Sequence, residues 1–293
     1  MFETGFIAVD WGTTNRRAYR VGTDGSHDAE FEDDQGVLSV AAGGFPAAVT
    51  EIRERLGDLP MLLAGMIGSN RGWVEAPYVR CPGGLDDLAA AVVWAEHGRS
   101  AIVPGLSLLT ENRADVMRGE EVQMLGAVVR GFIPADGLAC HPGTHNKWVV
   151  LRDGRIISFR TVMTGELFNL LKSKGILADW LQGPVEVNDA FRAGVRQGLK
   201  GGAMAADLFA VRARVLLGQA SVADAPGFTS GLLIGSDVCA GLGEAPGPIT
   251  IIGRPELTCL YAAAIGEAGR EAREVDGEEA FLAGIVEVAR RMS

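Results

Sequence analysis

The sequence is poor in cysteine and histidine, and it has no long apolar run. Its four cysteines, Cys81, Cys140, Cys239 and Cys259, lie far apart with no C-x-x-C pair. That spacing argues against a disulfide framework or a cysteine-held zinc site and favours a reducing interior. No apolar stretch approaches the roughly 20 residues of a membrane-spanning helix, so no membrane association is expected. The first residues show no basic stretch followed by an apolar one, so no secretory signal is read and a cytoplasmic location is expected. Basic residues are also in deficit, with 27 Lys and Arg against 37 Asp and Glu and a net charge of -10. A field of that sign disfavours nucleic acid as a partner. Any anionic small molecule must then be held by a local cluster of donors.

What the chain does contain is a normal apolar share (47% of 293 residues) and 40 glycines, about twice the usual frequency. The glycines follow no three-residue period and no biased tract. They suggest turns and close backbone approaches of the kind used around phosphates. The length allows one large domain or two modest ones. Strand-like runs at 6–9, 17–21, 61–66, 101–103, 148–151, 156–159, 232–234 and 249–252 alternate with helical patterns at 47–56, 85–97, 119–130, 167–175, 186–198, 203–217, 256–268 and 277–291. That alternation predicts an α/β fold.

An internal repeat organises these elements. Gly12-Thr13-Thr14-Asn15-Arg16 and Gly143-Thr144-His145-Asn146-Lys147 share a pattern, displaced by 131 residues, and each follows one short apolar strand and precedes another. A duplicated hairpin implies two related lobes facing each other across a cleft, with a first part at 1–131 and a second at 132–293. Glycine permits a tight turn whose successive N–H groups form an anion-binding nest, and the hydroxyls of Thr13 and Thr14 add donors. Arg16 and Lys147 add charge at matching positions. Asp10, at a strand end, can hold Mg²⁺ directly or through water. The second copy has His141 in its place, so the carboxylate is not duplicated. A plain polar turn with Asp10 as its starter, and structural roles for His141 and His145, are the competing readings.

Beyond the hairpins, several stretches resemble one family. Val9-Asp10-Trp11-Gly12-Thr13-Thr14, residues 65–78 (Gly65 to Tyr78), Asp115 to Glu121, Pro142 to Trp148, Phe159 to Phe168 and Ile251-Ile252-Gly253 look like the 2-dehydro-3-deoxygalactonokinases of the sugar kinase/Hsp70/actin superfamily. The resemblance runs nearly end to end and is most specific at 65–78 and 142–148. It implies two ribonuclease H-like lobes around a central nucleotide and substrate cleft. It also implies a kinase that uses ATP and Mg²⁺ to phosphorylate the C6 hydroxyl of 2-dehydro-3-deoxygalactonate in galactose or galactonate breakdown. Other readings are a kinase of the same fold for another 2-keto-3-deoxy or aldonic acid, and a non-catalytic sugar-acid sensor closed by nucleotide. By position, Asp10 matches the metal-associated carboxylate, and Gly12 to Arg16 and Gly143 to Lys147 match the phosphate motifs. Many superfamily members carry an acidic residue in the second motif, and this chain does not. Gly235 and Gly253, each closing an apolar strand, are candidates for close approach to adenosine, against the reading of plain strand-to-turn glycines.

Residues 68–71 are expected at a strand end, where α/β sites lie. Arg71 and Arg80 can clamp a planar carboxylate, Trp73 and Tyr78 offer flat walls, and Ser69, Asn70 and Glu75 offer hydroxyl partners. The bland alternative is a surface loop anchored by Trp73. Phosphoryl transfer also needs a carboxylate near the attacking hydroxyl. Asp115, Glu120 and Glu121 are expected at the start of a helix entering the second lobe, Asp115 the first choice as base and Glu121 the second. Either acid could instead cap that helix. Glu166 is read as a first-turn helix acid that can also touch the cleft. The sequence is compatible with a homo-oligomer.

Overall fold

The run Phe6-Ile7-Ala8-Val9 is apolar on both faces, and it becomes β1 (Phe6–Trp11), a central strand of a six-stranded sheet. The computed structural model describes residues 2, 4–243 and 247–292 of the chain. After a turn at 12–15 the chain returns antiparallel as β2 (Arg16–Val21) and folds back once more as β3 (His27–Asp33). Helix α1 (Phe45–Leu56) has Pro46 in its first turn, where a missing N–H costs nothing. Its Phe45, Val49, Ile52 and Leu56 recur at the helical period and pack into one core with Ile7, Val9 and Trp11 of β1. The wholly buried β4 (Met61–Gly65) then pairs parallel with β1.

Short elements follow: β5 (Tyr78–Arg80), α2 (Leu85–Ala90), β6 (Val93–Glu96), β7 (Ser100–Ile102), β8 (Gly105–Thr110) and β9 (Arg113–Met117), and then α3 (Glu120–Val129). The large sheet runs β3-β2-β1-β4-β7-β6, and β5-β8-β9 form a small sheet of their own. Residues 85–97 are therefore not one helix. Helix α2 stops at Ala90, and Val93 and Trp94, good strand formers, pair antiparallel with β7.

The second sheet repeats the plan. Strands β10 (Gly137–His141), β11 (Asn146–Arg152) and β12 (Arg155–Val162) are followed by helices α4 (Thr164–Ser173), α5 (Asp189–Gly198), α6 (Met204–Leu216) and α7 (Ala225–Gly241). Then come β13 (Ile249–Gly253), α8 (Pro255–Glu267), β14 (Ala272–Asp276) and α9 (Gly277–Arg291). The order β12-β11-β10-β13-β14, with β10, β13 and β14 mutually parallel, reproduces β3-β2-β1-β4-β7 of the first sheet. The repeat seen in two hairpins thus extends to whole sheets.

The chain divides into two compact units: 1–136 with 151–159 and 277–293, and 137–150 with 160–276. A single cut at 131/132 would place α9 with the second part, but α9 packs on α3 in the first unit. The strand expected at 232–234 is also absent, because those residues lie inside α7. That helix is buried nearly all round, so its apolar run lacks the polar face that would reveal a helical period. Gly235 does not close a strand. It lies in α7 against α5, where a Cβ would come 2.3 Å from the Val195 carbonyl oxygen. Among the described residues, no helix is long and apolar enough to cross a membrane.

Candidate active site

In the first unit the candidate residues gather at the carboxyl ends of two parallel strands. Register places Asp10 beside Ala64 and Trp11 beside Gly65. Gly65 has φ +94°, and a Cβ on it would meet the Trp11 carbonyl oxygen at 2.7 Å and approach an Asp10 carboxyl oxygen to 3.4 Å. Only glycine fits there. Gly119, the residue before α3, in turn sits close over Gly65. Asp10, the end of β4 and the amino end of α3 are thereby brought together within one unit.

The turn at 12–15 is held by its carbonyls. Gly12 N donates to the Asn15 carbonyl (2.9 Å), and the carbonyls of Gly12, Thr13 and Thr14 accept from Val37, Leu38 and Gly36. Among the described residues the N–H groups of Thr13, Thr14 and Asn15 have no backbone acceptor, and all three residues are exposed. The Thr14 hydroxyl bonds the Asn15 side chain (2.9 Å). These N–H groups are the donors on which the anion-binding reading of the motif depends.

Arg16 is a correction. Expected beside the phosphates, it is 1% exposed and forms bonds to Asp33 (2.9 and 3.0 Å) and Glu51 (3.1 Å), lying over the Trp11 and Phe31 rings. Alternation along β2 turns its side chain into the core, and its charge is neutralised there. Lys147, its counterpart on β11, is buried as well.

The three acids before and within α3 separate into two kinds. Asp115 is not at the helix start: it lies half-buried on β9, paired with Leu108 of β8, because residues 113–117 alternate as a strand. The helix itself belongs to the first unit rather than entering the second. Glu120 accepts from Arg118 N (3.0 Å), and both oxygens of Glu121 accept from Gly119 N (2.8 Å each). Glu121 is fully buried (0% exposed), and burial, reinforced by neighbouring Glu120, pushes its carboxyl up to about 8. Helix capping, rather than proton abstraction from a substrate, is the role this geometry supports for Glu121.

Residues 65–78 fold back on themselves after a single 3-10 turn at Met66–Gly68. Trp73 N donates to Ile67 O (2.8 Å) and Ala76 N to Gly68 O (2.9 Å), while the Trp73 ring packs on the core. Ser69 is buried with its hydroxyl accepting from Arg71 N (3.2 Å), whereas Asn70, Arg71, Glu75 and Tyr78 are exposed. Arg80, also exposed, bonds the Leu109 carbonyl (3.2 Å). Sequence reasoning missed Arg118, which is 7% exposed. Its guanidinium lies 4.3 Å from the Tyr78 ring centre and donates to Ala76 O (2.8 Å). Its Nε and Nη1 are buried without a hydrogen-bond partner among the described residues. A buried cation therefore underlies the loop.

The second unit holds the other hairpin. Gly143 N donates to the Asn146 side-chain oxygen (3.0 Å), and the Thr144 carbonyl accepts from Glu166 N at the start of α4 (3.0 Å). His145 and Glu166 pair through their side chains, which gives the exposed imidazole a partner. The N–H groups of Thr144 and His145 have no backbone acceptor among the described residues. Gly253 ends β13 next to Pro142, the topological counterpart of Gly65.

Asp237 gives no sign in the sequence of being a site residue, since it is a single acid just beyond the 232–234 run that reads as a strand. It is 1% exposed and accepts from Asn146 (2.9 Å), Trp148 (2.8 Å), Thr164 (2.5 Å) and Tyr261 (2.6 Å). Burial pushes its carboxyl up from the usual carboxylate range, and the four donors pull it back.

Comparisons with known proteins place the chain in a family. The family model described as 2-keto-3-deoxy-galactonokinase matches residues 10–288. The 2-dehydro-3-deoxygalactonokinase of Escherichia coli (strain K12) is 36% identical over 295 residues, covering 98% of this chain and 98% of its own. A crystal structure from Sinorhizobium meliloti, described as a candidate 2-dehydro-3-deoxygalactonokinase, superposes with a TM-score of 0.90 at 35% identity, over 97% of this chain and 98% of that one. Component A of the (R)-2-hydroxyglutaryl-CoA dehydratase of Acidaminococcus fermentans shares the fold at TM-score 0.55 and 10% identity, over 99% of both chains.

Proposed function

We propose, since the chain belongs to the 2-keto-3-deoxy-galactonokinase family, that it transfers the γ-phosphoryl group of ATP to the C6 hydroxyl of 2-dehydro-3-deoxygalactonate in galactonate catabolism. The observation that carries the reading, beside family membership, is the duplicated hairpin at matching sheet positions, each turn offering N–H groups with no backbone acceptor among the described residues. Phosphoryl transfer asks a protein mainly for positioning and charge stabilisation, which such turns supply.

Thr13, Thr14 and Asn15 in one unit, and Thr144 and His145 in the other, hold phosphate oxygens. Gly253 lies at a strand end suited to close approach by the adenosine. Mg²⁺ suits the donor set: Asp10 is a hard oxygen donor at the end of β1, followed by two exposed threonine hydroxyls. Bound there, the ion would neutralise charge on the transferring phosphoryl group. The one group of three metal-ligating side chains among the described residues, His27, Glu30 and Glu278, does not include Asp10. A single protein carboxylate agrees with a cation held largely by phosphates and water.

Residues 69–78 bind the sugar acid, with Ser69, Asn70 and Glu75 for hydroxyls, Trp73 and Tyr78 as walls, and Arg71 with the buried Arg118 favouring its carboxylate. Because Glu120 and Glu121 serve the amino end of α3, Asp115 is the acid we assign to the hydroxyl proton. A cytoplasmic location accompanies this reading. The test is an ADP-coupled assay on 2-dehydro-3-deoxygalactonate, its C4 epimer and simple aldonic acids. Turnover highest with the galactonate derivative is expected, and equal or better turnover with another acid would reassign the substrate.

A further inference from the structure

The two phosphate hairpins close their turns by different means. In the first, Gly12 N bonds a backbone carbonyl, that of Asn15, at 2.9 Å. In the second, Gly143 N bonds a side chain, the Asn146 oxygen, at 3.0 Å. The second turn therefore depends on the orientation of one amide. Asn146 is wholly buried, and its nitrogen donates to Asp237 (2.9 Å).

Resting on the reading of residues 143–147 as a phosphate-binding turn, we propose that Asp237 is its positioning residue, setting the Asn146 amide and through it the N–H groups that receive a nucleotide phosphate. All four side-chain partners of Asp237 donate to it, so its carboxyl acts as an acceptor that holds the amide nitrogen of Asn146 towards itself and the amide oxygen towards Gly143. An amide flipped the other way would set NH₂ against the Gly143 N–H and open the turn. The same carboxyl oxygen that takes Asn146 also takes the hydroxyl of Thr164, the first residue of α4. Helix α4 holds the turn from its other side, through Glu166 N to the Thr144 carbonyl. One buried acid thus ties together the inner support of the turn and the helix that flanks it. Asp237 touches no phosphate itself. Tyr261 donates to that same carboxyl oxygen and Trp148 to the other, and neither bonds the Asn146 amide itself.

The test measures MgATP binding by calorimetry, with KM for ATP and for the sugar acid, on the full chain carrying Asp237→Asn, Asn146→Asp, both together, or Tyr261→Phe. Asp237→Asn and Asn146→Asp are each expected to weaken MgATP binding by about tenfold or more, the scale of one lost buried hydrogen bond, with the sugar-acid KM little changed. The double variant restores a donor–acceptor pair in reverse. Its carboxylate at position 146 still accepts from Gly143, and its amide at position 237 donates to that carboxylate, so most of the affinity is expected to return. Tyr261→Phe removes one donor to Asp237 without touching the Asn146 bond, so it is expected to lower the melting temperature and leave MgATP affinity as it was. Three results would each overturn the proposal: unchanged MgATP affinity in folded Asp237→Asn, additive losses in the double variant, or a loss in Tyr261→Phe equal to that in Asp237→Asn. If Asp237→Asn alone does not fold, the double variant decides, recovery supporting the pair and no recovery overturning it. Failure of the unsubstituted protein to bind MgATP would instead contradict the kinase reading, so the two failures are distinguishable.

Discussion

The backbone N–H of Gly119 is shared by both carboxyl oxygens of Glu121, each 2.8 Å away. Glu121 thereby caps the helix it belongs to, in a place with no solvent contact. Glu121→Gln keeps an acceptor for Gly119 and is expected to retain activity within a few-fold. A base at this position would lose ~10²–10⁴ in kcat. Steady-state kinetics of the variant separates the two.

Glu121 also makes stability depend on pH. Its folded carboxyl titrates at about 8, above the ordinary 4.5, so between those values the folded state binds more protons than the unfolded one. The stabilisation from this protonated group is complete below the unfolded value and is lost as pH rises through the folded one. The unsubstituted protein should therefore lose stability relative to Glu121→Gln between about pH 5.5 and 8, with a slope of up to about 1.4 kcal/mol per pH unit. Urea unfolding at the two pH values checks this. A constant difference would show that Glu121 is ionised throughout.

Arg16 is expected to be a stability residue. Arg16→Gln removes the buried one of the two cations that Asp33 and Glu51 share and should cost about 2 kcal/mol, below the range for a broken buried pair because both acids keep some solvent and Arg55 still bridges them. Its KM for ATP should not move. A variant of undiminished stability with a raised ATP KM would return Arg16 to the phosphate site.

Arg118 should act on the other substrate. Replacing it by Gln removes the support of Ala76 and Tyr78 and the positive charge beneath the loop, raising the sugar-acid KM by about tenfold or more while the ATP KM stays constant. Lysine should not rescue it, since a point charge cannot lie flat against the Tyr78 ring as a planar guanidinium does. Equal effects on both KM values would show a general loss of fold instead.

Gly235→Ala separates packing from nucleotide contact. A methyl group 2.3 Å from the Val195 carbonyl forces α7 away from α5, so a lower melting temperature is expected. A fully stable variant with weakened ATP binding would restore Gly235 to the adenosine site.

How far the sequence could be read depended on whether a local pattern carried the information. Glycine-led turns between apolar strands are local, so the paired hairpins at 12–16 and 143–147 were legible, and so was the duplication they announce. Helix α7 was not, because a helix buried on every side has no amphipathic period and its Leu232-Leu233-Ile234 reads equally as a strand. Arg16 read as a phosphate-facing cation and Arg118 drew no site reading, because a sequence shows charge but not which side of a strand or loop faces the core. Asp237 draws its partners from residues 146, 148, 164 and 261, and no spacing along the chain foretells that meeting. Asp10 as a candidate metal carboxylate and 65–78 as a candidate substrate loop rest on strand-end position and motif resemblance, while Gly65, whose missing Cβ lets the end of β4 lie against Trp11 and Asp10 of β1, gained its reason only from the fold.

The central claim is chemical, and the most direct measurement is the position of the phosphate in the product. Incubation of the protein with MgATP and 2-dehydro-3-deoxygalactonate, followed by phosphorus and carbon NMR, should show one phosphate ester on C6 and stoichiometric ADP, with both lost in Asp10→Ala and Asp115→Asn variants that keep the unsubstituted melting temperature. ATP consumption with no phosphorylated sugar acid, or a phosphate on another carbon, would contradict the account.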